Sequence, residues 1–114
     1  MKFEEPVEFK RDLKLLLKKF RTLNDDLDVL KRVLEIHPDE RPPFSSRIPD
    51  TGADSCTIKL RKIACRSLKD HGANSGLRLI YAWLQEKETI IFLELYHKNE
   101  KETENKSRIS NRLK

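Results

Sequence analysis

The sequence predicts an α+β domain: an N-terminal helical hairpin packed on a small antiparallel sheet of three to four strands, then a short C-terminal helix or tail. Two observations carry this. Apolar residues recur every three or four positions up to Leu34 and at every second position from Cys56, so the period changes from helical to extended. The connections between the later elements are short, which suits antiparallel neighbours. At 114 residues there is room for one core, and the whole of 1–114 is read as one domain.

The first helix is expected over about 6–21. Phe9, Leu13, Leu16 and Phe20 form its stripe, which Leu17 widens. Pro6 suits the first turn, Glu4, Glu5 and Glu8 suit the positive end of the dipole, and Lys18, Lys19 and Arg21 suit the other end. A second helix is expected over about 24–37, capped by Thr22 or Asn24. Asp25, Asp26 and Asp28 stand in its first turns, and Leu23, Leu27, Leu30, Leu34 and Val33 form its stripe. Pro38 stops it. Residues 38–54, rich in Pro and Ser, read as a long loop.

Strands are expected over about 56–65, 76–84 and 89–97. In the first, Cys56, Ile58 and Leu60 face one way and Thr57, Lys59 and Arg61 the other, until alternation breaks at Ile63-Ala64-Cys65. Residues 67–75 are a second loop. In the next strand Leu77, Leu79, Tyr81 and Trp83 oppose Arg78, Ile80 and Ala82. Gln85–Glu88 is a polar turn, and Thr89–His97 is nearly continuous in apolar residues, as a central strand covered on both sides should be. The tail 99–114 is polar, with Ile109 and Leu113 four apart. The helical pair is thus expected to cover one sheet face and leave the other to Lys59, Arg61 and Arg78.

Charge points to a partner. The net charge is +5, and residues 55–85 alone carry Lys59, Arg61, Lys62, Arg66, Lys69 and Arg78 against Asp70. The excess therefore sits in one segment, the electrostatic footprint of a phosphate-binding surface; a solvated positive face is the plainer alternative. Cys56 and Cys65 match no zinc or redox spacing, and His37, His71 and His97 form no ligand cluster with them, so no metal and no cofactor is expected. Two free thiols, no apolar leader after Met1 and no apolar run of about 18 residues suit a cytoplasmic protein that crosses no membrane.

Lys59-Leu60-Arg61 on one strand, Gly76-Leu-Arg-Leu-Ile-Tyr81 on the next, and an apolar strand ending Leu95-Tyr-His-Lys98 resemble the RelE/ParE toxin superfamily. The element order agrees, and the resemblance spans roughly residues 4–109. It implies the toxin of a type II toxin–antitoxin system, in the RelE branch a metal-independent endoribonuclease that cuts mRNA, often on the ribosome, and is neutralised by a cognate antitoxin protein. The ParE branch shares the fold but binds and poisons DNA gyrase; a non-catalytic RNA-binding module is a third reading. By the same resemblance Lys59, Arg61, Arg78, His97 and Lys98 are the candidate catalytic residues and Lys101 a further RNA contact; the charge gathered in 55–85 adds Lys62, Arg66 and Lys69 as RNA contacts. RNA can be cut by attack of its own 2′-hydroxyl on the adjacent phosphate, which needs cations for the transition state and an acid and a base for the protons. Arg61 and Arg78 suit forked phosphate contacts, Lys59 a point charge, and His97 proton transfer. The alternative for the arginines is pairing with Glu94 or Asp70. The sequence also departs from the family: no Tyr follows His97, Asn99 stands near a position where an arginine occurs, Thr57 stands where a further lysine occurs, and loops 38–54 and 66–75 are long.

Overall fold

The fold was taken from a computed structural model, which describes residues 1–48, 56–67, 75–101 and 103–113. In chain order the elements are β1 (Lys2–Glu4), α1 (Val7–Leu17), α2 (Leu23–Ile36), β2 (Ser45–Arg47), β3 (Cys56–Leu60), β4 (Leu77–Leu84), β5 (Thr89–His97) and α3 (Lys106–Leu113). The α+β class and the helical hairpin are as expected. The sheet differs: it has five strands in the order β1-β5-β4-β3-β2, and β1 runs parallel to β5 while the other pairs are antiparallel.

The hairpin forms because each helix has one apolar stripe. Phe9 and Leu16 of α1, Phe20 of the connection, and Leu23, Leu27 and Leu34 of α2 are all buried. Helix α1 ends four residues before the expected Arg21. The amides of Lys19 and Phe20 both donate to the Leu16 carbonyl, a tight turn that returns Phe20 to the core. Thr22 stands at the start of α2, but its hydroxyl donates to Asp26 Oδ2 at 2.8 Å instead of capping a backbone amide. It also joins Ser67, whose amide donates back to Thr22 Oγ1 at 2.9 Å, tying the segment after Cys65 to the helix. Val33, expected on the core stripe, is exposed.

The three expected strands are present, with β3 ending at Leu60, five residues early; β1 and β2 were not expected. In β5 every residue is buried. Its helix-side face contributes Ile90, Phe92 and Leu95 to the main core with α1 and α2. The other face carries Ile91, Leu93 and Tyr96, which with Ile80 and Ala82 receive Ile109 of α3. That second face is therefore covered by the C-terminal helix rather than left open.

A bulge sets which residues share a face. Ile80 pairs with Glu94 but Tyr81 pairs with Phe92, so Leu93 is the extra residue and the parity of β5 inverts beyond it. The flank of β5 past β1 is closed by side chains: Asp12 of α1 accepts the Leu95 amide at 3.0 Å, and Arg108 of α3 donates to the Leu93 carbonyl at 2.9 Å and to Asp12 at 2.8 Å.

Tyr81 ties the sheet to the segment after α2 through a 2.9 Å hydrogen bond to the Pro38 carbonyl, and burial pushes its hydroxyl pKa up, so the phenol stays a donor. Tyr81→Phe should cost about 1 kcal/mol in urea unfolding, the net worth of one such bond. No change in the midpoint would show the bond to be energetically idle.

Candidate nucleic-acid interface

The α3-side face of the sheet gathers three of the expected cations. Lys59 lies on β3 opposite Ser46 of β2 and Ile80 of β4, and paired strand positions share a face. Arg61 follows β3 and donates from Nη1 to Ser46 Oγ at 2.6 Å, which places it beside Lys59. Arg78 of β4 donates from Nη1 to the Arg61 carbonyl at 3.2 Å and to its neighbour Leu77's carbonyl at 3.3 Å. The two arginines thus touch across neighbouring strands. Both are half-buried.

Their counter-charges differ. Among the described residues neither Arg61 nor Arg78 forms an ion pair; Glu94, one expected alternative partner, is occupied by Lys101 and by the Asn105 amide at 2.8 Å, and Asp70 lies outside the described residues. Lys59 does have a carboxylate: its Nζ is 3.3 Å from Glu104 Oε2, with 15% and 8% of the two side chains exposed. Burial acts to raise the Glu104 pKa, but hydrogen bonds from its own amide and the Thr103 hydroxyl, with the Lys59 ammonium, outweigh it and hold the group below the usual carboxylate range. Tyr96, in register with Arg78, lies between two ammonium groups, Lys59 at 5.9 Å and Lys101 at 5.0 Å from the ring centre. Its buried hydroxyl has no hydrogen-bond partner among the described residues.

His97 does not join this face. Because the bulge inverts the strand, its ring turns to the helix side and stacks on Phe20 with centroids 5.5 Å apart and 17° between planes. Nδ1 accepts the Asn99 amide at 3.1 Å, which assigns the proton to Nε2, 3.1 Å from the Ser75 carbonyl. Both nitrogens are engaged and the ring is buried, so the expectation that His97 stands ready beside the arginines is corrected.

The remaining candidates are dispersed. Lys98 is exposed at the strand exit. Arg66 turns to α2, 3.1 Å from Asp25 and 3.5 Å from Asp26. Lys62 lines an open groove of about 540 Å³ beside α2, floored by Leu34, Leu60 and Ile63. Lys101 is held against Glu94, and Lys69 lies outside the described residues. Sequence reasoning missed Glu104, Ser46 and Tyr96 as neighbours of the cations. Glu94, a lone acid in an apolar strand, was the one legible sign that a cation had to reach this face.

Chemically, arginines at neighbouring positions, without carboxylates among the described residues, can form forked bonds to phosphate oxygens. The described His, Cys, Asp and Glu residues include no group of three arranged to hold a metal ion, and no helix among the described residues is long and apolar enough to cross a membrane. Comparison with protein-family models and with curated proteins finds no match to the chain.

Proposed function

We propose that the chain is an RNA-directed toxin of the RelE type, working in the cytoplasm, that seats a phosphodiester of mRNA on Arg61 and Arg78 and cuts it by attack of the neighbouring 2′-hydroxyl. One observation supports this above the rest: the Arg78 guanidinium of β4 rests on the Arg61 carbonyl just past β3, and neither arginine has a carboxylate among the described residues. Buried charges are normally paired, so half-buried guanidinium groups without a counter-charge favour an external anion. The largest protein contribution to such a cleavage is electrostatic. An antitoxin protein is the proposed partner, and the groove beside α2, bordered by the exposed Val29, Val33 and Phe44, suits one of its amphipathic segments. The ribosome is the proposed place of cutting.

A second reading is favoured by the burial of His97, which takes the imidazole away from the arginines. On it the chain is a ParE-like gyrase poison, acting by protein binding.

Brief induction with mapping of RNA 5′ ends, with and without translation, separates the two. Growth arrest with fragmented transcripts is expected. Arg61→Ala and Arg78→Ala should each lower cleavage by about 10²–10³. Arrest with intact transcripts and gyrase trapped on DNA would establish the second reading.

A further inference from the structure

The reading of the Lys59–Arg61–Arg78 face as a phosphate site is the premise here. On that face Glu104 does what a phosphate oxygen would do: it meets the Lys59 ammonium at 3.3 Å and takes it out of water. The element that brings Glu104 there is narrowly seated. Among the described side chains of α3 only Ile109 is buried, and the other described ones are polar or charged: Lys106, Ser107, Arg108, Ser110, Asn111 and Arg112. Its other ties are charge-assisted, the Asn105 amide to Glu94 and Arg108 to Asp12 and Glu8. Beneath it lies the buried hydroxyl of Tyr96, which has no partner among the described residues.

We propose that residues 103–113 form a strap that closes the phosphate site, and that strap and RNA exclude one another at Lys59. In the closed form two arginines are available and the lysine is neutralised. When the strap lifts, Lys59 is unmasked, the Tyr96 hydroxyl is uncovered, and the site gains its third cation. RNA affinity is then the affinity of the open form scaled by the fraction open, so anything that loosens the strap tightens RNA binding.

The test uses the full chain and a labelled single-stranded RNA of mixed sequence, followed by fluorescence anisotropy. Glu104→Gln and Ile109→Ala should each tighten binding roughly three- to fivefold, the worth of an ion pair at the strong end of its range and of the linked opening. Glu100→Gln removes the same charge from an exposed position that does not touch Lys59, and should stay within about 1.5-fold of the parent at physiological salt. Lys59→Gln should erase the gain of Glu104→Gln. Amides 105–113 of the parent chain should exchange faster with RNA bound.

Glu104→Gln no tighter than Glu100→Gln, with 105–113 still protected in the RNA complex, would overturn the strap while leaving the face intact if Arg78→Ala still weakens binding. RNA binding indifferent to Lys59→Gln, Arg61→Ala and Arg78→Ala alike would remove the phosphate site, and the strap with it. If Ile109→Ala fails to fold, Glu104→Gln and the exchange measurement decide alone.

Discussion

Phe92→Ala is expected to lower unfolding free energy by about 3–5 kcal/mol, the range for emptying a fully enclosed aromatic site. The ring has no exposure and packs between Phe9, with centroids 5.2 Å apart, and Phe3 at 5.8 Å, both tilted. These are favourable edge-to-face distances, and each pair adds to the area buried. Phe3 belongs to β1, Phe9 to α1 and Phe92 to β5, so one ring joins the parallel edge strand, the first helix and the interior strand beside that edge. A domain of this kind has only about 5–15 kcal/mol in total, so the variant should unfold at a much lower urea concentration with an unchanged slope. Leu15→Ala, on the same helix but 66% exposed, should shift it by at most about 0.5 kcal/mol. A Phe92→Ala loss below about 1 kcal/mol would show that the neighbours collapse into the space.

The second large effect belongs to Gly76→Ala, expected to cost about 2–6 kcal/mol from two sources. Gly76 has φ +86°, a left-handed conformation in which a side chain adds about 1–3 kcal/mol of strain. A Cβ there would also stand 2.6 Å from His97 Nε2, and the ring cannot simply step aside. It is stacked on Phe20 and bonded at both nitrogens, so overpacking adds about 1–3 kcal/mol more. The same glycine accepts the Lys98 amide at 2.9 Å, so a shift would reach the exit of β5. A double-mutant cycle with His97→Ala separates the terms: removing the ring should recover at least about 1 kcal/mol of the loss. Strict additivity would show the cost to be backbone strain alone.

How far this was legible depends on whether a residue's surroundings are local. The α1 and α2 stripes are local periodicities, and Phe9, Leu16, Leu23 and Leu27 are buried as their spacing implies. The alternation Lys59–Leu60–Arg61 likewise sets two cations on one side of β3, and Arg78 joins them through the pairing of β3 with β4. Strands β1 and β2 are three residues each, too short to display a period of two; β1 is strand because the edge of β5, 87 positions along at Lys2 and Thr89, receives it. The misplacement of His97 has a single cause. In a strand apolar at nearly every position, a bulge at Leu93 leaves no trace, yet it reverses the direction of every side chain after it. The cover over the second face was hidden for a related reason: a tail so polar gives little sign that Ile109 is buried against the sheet. Glu104, 45 positions from Lys59, carries no sequence mark of its role.

The side-chain closure of β5 by Asp12 and Arg108 bears on how copies of this molecule meet. A second chain approaching that flank finds a carboxylate and a guanidinium already bonded to the amide and carbonyl it would need. At the opposite rim, Ser45–Arg47 offers only three residues and ends in an arginine held by Asp39 and Glu40. Among the described residues neither border presents the long open ladder from which fibrils grow, so crowding of the folded form should produce no zippering through these margins.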